Sequence, residues 1–317
     1  MAHRFLFIMD PIEHILPDKD TTFVFMLASQ QRGHAVYYCG ISDLFVAAAV
    51  PRARVRRAEV MRAVPHFQLL EERIEPLAWF DAIFMRKDPP VDLSYLFATH
   101  MLSLVDPNST LVLNDPRALR DANEKLYALN FPEVIPPSVV TSDMARLKAF
   151  LEEMGGEMIV KPLDGCGGAG VFHVHRGDRN LNSILELSTD NGRRLIMAQR
   201  YLPEIRHGDK RLIVLDGEPL GATLRVPRED EHRGNIHVGG TCIKAEITAR
   251  DQFIVSTIAP RLRRDGLVFV GLDIIGDYLT EVNVTSPTGI QEIDALDDAR
   301  LEERVIALVE RRVPGHS

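Results

Sequence analysis

Ile159-Val-Lys161-Pro-Leu-Asp-Gly165-Cys-Gly167-Gly168-Ala-Gly170-Val-Phe172 is the stretch on which the reading of the fold turns. Lys161 stands near the end of an apolar run, EMIVKP, that reads as a buried strand. Glycines then crowd a loop, and VFHVH reads as the next strand. Glycine lets backbone N–H groups turn toward an anion at close range, and a lysine on the preceding strand adds a point charge for phosphate. No Gly-Lys-Ser/Thr follows, so the Walker pattern is absent. The loop leads to a strand, whereas the dinucleotide fingerprint opens a helix. A plain glycine-rich hairpin turn remains open beside phosphate binding.

Working outward from this loop, strands alternate with helices in the first 120 residues or so. RFLFIM (4–9) stops at Asp10-Pro11, and Asp20, Thr21 and Thr22 offer caps for a helix to Gln31 with Gly33 beyond it. HAVYYCG, DAIFMR and TLVLND read as strands, SYLFATHMLSLV and PRALRDANEKLYALN as helices. The stretch ARVRRAEVMRAVPHFQLLEE is ambiguous, although its first half alternates like a strand. That order predicts an open parallel sheet. Residues 123–203 read as a small α+β unit around the glycine loop. Residues 204–317 read as strand pairs, with a hairpin signal at Asp216-Gly217, a helix TARDQFIVSTIAPRLRRDG and a final amphipathic helix. Three units result: 1–122, 123–203 and 204–317. Residues 227–240, PREDEHRGNIHVGG, read as a long polar loop expected to cover a site.

A second constellation lies in VFVGLDIIGDYLTEVNV. Glu281 and Asn283 are two apart on one strand and share a face. Asp273 joins that face if the connection has an odd number of residues. A two-residue turn would put Asp273 opposite Thr280, on the other side. Two carboxylates and an amide oxygen in apolar surroundings suit Mg²⁺ or Mn²⁺, because buried carboxylates require cations. A third group is the scatter of cations Lys125, Lys161, Lys210, Arg211, Arg225 and Arg233, each singly an ordinary surface charge. In the first unit Asp10 and Arg86 both end predicted strands, where open α/β sheets bind ligands. Arg86 suits a substrate carboxylate, or it pairs with Asp10. His173 and His175 share a strand face without a third ligand nearby and read as surface histidines.

The bulk numbers narrow the class. With 317 residues, 45% apolar and 26% charged, the chain suits two or three globular units. A net charge of −8 argues against nucleic acid as a partner. Cys39, Cys166 and Cys242 show no zinc or redox spacing, which points to free thiols in the cytoplasm. No segment is long enough to span a bilayer. No Ser/His/Asp or Cys/His arrangement suggests itself.

Taken together, LNDPRALRDANEKL, IVKPLDGCGGAGVF, MAQRYLP, GDKRLIVLDGEPLGATLRVP, RGNIHVGG and VGLDIIGDYLTEVNVTSPTGI resemble the prokaryotic-type glutathione synthetases of the ATP-grasp superfamily. MRKDPP and MDPIEHI fit as well, so the resemblance spans nearly the whole chain in order. It implies an ATP-grasp fold: an N-terminal open parallel-sheet domain, a small central lid domain and a C-terminal antiparallel-sheet domain. It implies ATP with Mg²⁺ or Mn²⁺, γ-glutamylcysteine and glycine as substrates, an acyl-phosphate intermediate, and a homo-oligomer without nucleic acid or membrane.

By position, the resemblance puts Lys125, Lys161, Gly165, Gly167, Gly168 and Lys210 on the nucleotide, with Gln199, Arg200, Tyr201 and Leu202 along the adenine. Asp273, Glu281 and Asn283 match metal ligands. Arg211, Arg225, Lys161 and Arg233 match groups at the reacting centre, and Asp10, Arg86, Asn283, Ser286, Pro287 and Thr288 match the substrate side. Cys166 stands where many members carry Met, and HVGGT departs from the usual cover loop. Alternatives are another ATP-grasp ligase, adding glutamate to a peptide or joining two D-alanines, and a non-catalytic ATP-binding module resembling synapsins.

Overall fold

The computed structural model describes residues 2–165, 167–227 and 241–315. Residues 228–240, with Arg233, on which most of the expected cover loop falls, and Cys166 lie outside the described residues.

The first unit runs β1 (Arg4–Ile8), α1 (Thr21–Gln31), β2 (Ala35–Cys39), β3 (Leu44–Ala47), β4 (Val50–Val60), β5 (Phe67–Pro76), β6 (Ala82–Met85), α2 (Leu93–Leu102), β7 (Leu111–Leu113) and α3 (Pro116–Asp121). The helix α1 starts where the sequence places its cap: Asp20 accepts from the N–H of Phe23 at 2.6 Å. The sheet departs from the expectation. Strands β2, β1, β6 and β7 are parallel, but β3, β4 and β5 extend it antiparallel. The ambiguous stretch is the hairpin β4–β5. Its alternating exposed arginines and glutamates pair across strands, as in Arg56 Nε to Glu72 at 3.2 Å, which is how a strand with one wet face reads.

The second unit is a four-stranded antiparallel sheet, with β8 (Ser138–Thr141), α4 (Met144–Glu153), β9 (Glu157–Pro162), β10 (Phe172–His175), α5 (Leu181–Ser188) and β11 (Ile196–Arg200) in the strand order β10-β9-β11-β8. It keeps its own core, built on Leu147, Phe150, Val160, Val174 and Ile196. The third unit holds β12 (Asp209–Leu215), β13 (Glu218–Val226), β14 (Thr241–Lys244), α6 (Ala249–Asp265), β15 (Phe269–Ile275), β16 (Tyr278–Asn283), α7 (Ile290–Asp297) and α8 (Leu301–Arg312). Its sheet is antiparallel, in the order β14-β13-β12-β15-β16. Asp216 and Gly217, at φ of 56° and 75°, form the hairpin the Asp-Gly signal predicts.

Two apolar cores run through both the first and third sheets, so these two share one interior. Asn114 clamps them. Its Nδ2 donates to the carbonyls of Phe269 (2.9 Å) and Val284 (2.8 Å), and its Oδ1 accepts from the N–H of Val268 (2.8 Å) and Phe269 (2.9 Å). The last helix is latched as well. Glu310 on α8 takes Arg32 Nε at 2.9 Å and His34 Nε2 at 2.7 Å. The His3 N–H donates to His34 Nδ1, so His34 donates through Nε2.

The hydrogen bond from Arg32, followed by that from His34, holds Glu310 down to about 2, against its ordinary 4.5. A depressed carboxylate stabilises the fold above its unfolded-state pKa and loses that contribution as pH falls through the folded one. Glu310→Gln is expected to lower Tm by a few degrees at pH 7. The gap from wild type should close as the pH is lowered from about 4.5 toward 2. Thermal melts across that range measure it, and a gap independent of pH would contradict the latch.

Candidate active site

Strand β9 brings Lys161 to the mouth of the glycine loop, which is a wide hairpin returning on β10. Gly167, Gly168 and Gly170 have φ of 62°, 80° and 71°, the left-handed region in which a side chain is strained. At Gly165 a Cβ would lie 2.7 Å from Pro162 Cγ, so the loop closes only with glycine there.

The predicted helix through residue 130 does not continue. α3 ends at Asp121, Ala122 leaves helical geometry, and a 3₁₀ turn follows at Tyr127–Asn130. The break lets Asn123 Nδ2 donate to the carbonyl of Leu163 (2.8 Å) and Lys125 Nζ donate to the carbonyl of Gly165 (2.7 Å). A continuous helix would carry Lys125 away from the glycine loop.

Between the second and third sheets lies a cleft of about 890 Å³, including its open mouth. Lys125, Lys161, Gly165, Gly167, Gly168, Gln199, Arg200, Tyr201, Leu202, Asp209, Asp273, Thr280 and Glu281 line it, with Ile159, Val171, Ile205 and Ile275 as its apolar wall. An apolar slot with a few convergent charges is the common form of a small-molecule site.

The face-sharing of Asp273 and Glu281 is decided by a bulge. The β15–β16 turn is the even, two-residue kind, with Ile275 opposite Tyr278, and alone it would place Asp273 opposite Thr280. The register shifts between Asp273 and Ile274, so Asp273 faces Glu281 and Gly271 faces Asn283. Thr280 is the extra residue, and its hydroxyl donates to the Asp273 carbonyl at 3.0 Å.

Each of these carboxylates is bound by cations. Arg211 grips Asp273 in bidentate fashion, Nε to Oδ1 at 2.6 Å and Nη2 to Oδ2 at 3.1 Å. Arg225 Nη2 adds a contact to Oδ1 at 3.0 Å. Asn283 Nδ2 reaches Oδ2 at 3.3 Å. Burial would raise the Asp273 pKa, but Arg211 and Arg225 hold it well below the carboxylate range. Lys125 and Lys161 both lie 3.7 Å from Glu281 Oε1. Lys161 also donates to Gln199 Oε1 at 3.2 Å, and burial pushes its ammonium down.

Other predicted residues fall elsewhere. Lys210 points away from the cleft because strand alternation turns it opposite to Arg211. Its ammonium is engaged by Asp251 at 2.6 Å. Arg86 does not pair with Asp10, which instead takes Lys87 Nζ at 2.9 Å and the Asp88 N–H. The Arg86 guanidinium is buried beside Phe25 and Phe269, and donates to Thr22 Oγ1 (3.1 Å) and the Pro287 carbonyl (2.9 Å). Burial lowers its pKa to about 10. Arg211 Nη1 donates to the next carbonyl, Thr288 O, at 3.1 Å. Thus Arg86 and Arg211 hold the loop carrying Ser286, Pro287 and Thr288 from both sides.

Asp209 was missed by sequence reasoning. It pairs across the strand with Arg225, its Oδ2 accepting from Arg225 Nη2, and burial pushes its pKa up to about 7. Its alternation with Arg211 in DKR was the available signal: the two residues at i and i+2 share the cleft face.

A small mixed unit closing on an antiparallel sheet, with a glycine loop, two buried lysines and a carboxylate–amide row, defines an ATP-grasp ligase. Solved structures of low identity share the fold. A D-cycloserine synthetase superposes with a TM-score of 0.68 at 17% identity, over 98% of this chain and 99% of that one. An ATP-grasp ligase complexed with a minimal precursor gives 0.63 at 16%, over 98% and 99%. The prokaryotic glutathione synthetase N-terminal domain matches residues 3–120, and the prokaryotic glutathione synthetase ATP-grasp domain matches residues 124–298. Glutathione synthetases from Thermosynechococcus vestitus, Synechococcus elongatus and Pseudomonas aeruginosa are 49%, 47% and 44% identical. They cover 95%, 98% and 96% of this chain and 98%, 99% and 97% of their own lengths. The chain belongs to the prokaryotic glutathione synthetase family, ATP-dependent ligases that join γ-glutamylcysteine to glycine.

Proposed function

We propose that this chain forms glutathione through an acyl phosphate at the cleft between β9–β11 and β12–β16. The supporting observation is the meeting of four buried cations, Lys125, Lys161, Arg211 and Arg225, in a chain of net charge −8. Phosphoryl transfer needs positioning and charge neutralisation more than a side-chain nucleophile. An oxygen of the cysteinyl carboxylate bonds to the terminal phosphorus of ATP, and ADP leaves. The unprotonated amine of glycine then attacks the acyl carbon. The carbon–oxygen bond to phosphate breaks, and inorganic phosphate departs with the former carboxylate oxygen, taking up the proton that the amine nitrogen loses. Lys125, Lys161 and the glycine loop hold the nucleotide phosphates. Arg211 and Arg225 orient the carboxylate and offset charge as it builds. Gln199 to Leu202 line the base.

Asp273, Glu281 and Asn283 fit a divalent cation in donor chemistry, being hard oxygen donors gathered on one face by the bulge at Thr280. Mg²⁺ or Mn²⁺ held by them supplies further neutralisation of the phosphates. Asp273 and Glu281, now paired with Arg211, Arg225, Lys125 and Lys161, would hold such an ion, and the four cations would then be left to neutralise the anionic substrates.

The substrate side is read as Asp10, Arg86, Asn283 and the loop Ser286 to Thr288, with Arg86 acting through its grip on Pro287. The functional units are read as 1–122, 123–203 and 204–317. A cytoplasmic location is supported by Cys39 and Cys242, both free thiols; among the described residues no helix is long and apolar enough to cross a membrane. A homo-oligomer is supported by Leu93, Phe97 and Leu104 on α2 and just beyond it, 69%, 60% and 57% exposed.

The test follows oxygen. With ¹⁸O in the cysteinyl carboxylate of γ-glutamylcysteine, released phosphate is expected to carry one labelled oxygen by mass spectrometry. Label confined to the peptide would rule out the acyl phosphate.

A further inference from the structure

The His173 imidazole lies parallel to the Tyr201 ring, with centroids 3.9 Å apart and planes inclined by 14°. This is a full-face stack. The strands place it where it bears on the nucleotide slot. His173 pairs with Ile159, and Ile159 pairs in turn with Gln199, so the three lie in one row across β10, β9 and β11. Side chains two apart on a strand share a face. Gln199 and Tyr201 therefore project on the side of the sheet that carries Ile159 and Lys161, the cleft side.

Tyr201 sits just past the end of β11, where ladder hydrogen bonds no longer hold the backbone. Its neighbours are pinned by other means. Gln199 is fixed by Lys161 and by Ser138, and the Arg200 guanidinium lies 4.8 Å over the Tyr278 ring. For Tyr201 the stack on His173 is the corresponding anchor. Because β10 is the strand that follows the glycine loop, the same contact ties the phosphate-binding loop to the base-binding segment.

We propose that His173 is a positioning residue for the nucleotide: by covering one face of Tyr201 it sets the wall of the base slot and so governs affinity for ATP. The inference rests on reading this cleft as the nucleotide site. His173 touches no reacting group, so its loss acts on binding and leaves the chemical step alone.

His173→Ala and His173→Phe are compared with wild type by calorimetric titration of ATP and by steady-state kinetics. Removing an aromatic stack is expected to weaken ATP binding and raise KM for ATP by about 3- to 10-fold. The values of kcat and of KM for γ-glutamylcysteine and glycine should stay within about twofold. His173→Phe, which keeps a flat ring, should restore ATP affinity. Unchanged ATP affinity in His173→Ala overturns the proposal, as does a fall in kcat at constant KM, or a phenylalanine variant as weak as the alanine one. Failure of the wild-type chain itself to bind ATP would instead refute the nucleotide-site reading.

Discussion

Glu281→Gln is expected to lower turnover by roughly 100- to 1000-fold, the loss that follows when one group stabilising transition-state charge is removed. Glutamine keeps the shape and one oxygen but removes the charge that suits a divalent cation. The fold should survive, because the Glu281 side chain is partly exposed, at 23%. A second effect of opposite sign follows from the ion pairs. Lys125 and Lys161 both lie 3.7 Å from Glu281 Oε1, so the carboxylate competes with phosphate for them. In EDTA, metal-free ATP should therefore bind the variant more tightly than wild type, by about fivefold or more. Calorimetry in EDTA and a coupled ADP-release assay with added Mg²⁺ measure the two arms. Near-normal turnover at saturating Mg²⁺ would refute the proposal that Glu281 helps to hold a metal. Equal metal-free affinity would show that it does not hold the lysines back.

Asn114→Leu is expected to cost at least about 3 kcal/mol of stability, because several buried backbone groups lose their partner at once. Asn114 is 5% exposed and satisfies two carbonyls and two N–H groups where the first sheet meets the third. Leucine has similar bulk, so little of the loss would come from a cavity. What is lost is the polar clamp. Urea denaturation measures the effect, and the lowered midpoint should come with an unchanged slope. A loss under about 1 kcal/mol would mean that other groups or water take over the four bonds.

Much of the local structure was legible in the sequence. The Asp20 cap, the Asp216-Gly217 hairpin and the strands flanking the glycine loop are set by residues within a turn or two of each other. Caps, positive-φ positions and alternation act over that range. The cation-rich motifs and the acidic row were legible for the same reason, because each is a short run of residue types with a spacing. Even the face of Asp209 and Arg211 was written in DKR, although only the arginine drew notice.

Residues at the junctions were not legible. One extra residue in β16 moves every side chain after it to the other face of the pairing that the turn alone would set. Nothing local distinguishes Thr280 as that residue, because the register is settled by β12 and β16 both packing on β15. In sequence Arg86 suited a substrate carboxylate or a pair with Asp10. Tertiary packing excludes the pair and buries Arg86 against Pro287, 201 residues further along the chain. The antiparallel extension of the first sheet and the break of the helix after Asp121 likewise depend on distant partners. The sequence by itself determined most of the elements and which chemical groups the chain carries. The tertiary structure decided which of those groups meet, because contacts between distant segments depend on register and packing that no short stretch encodes.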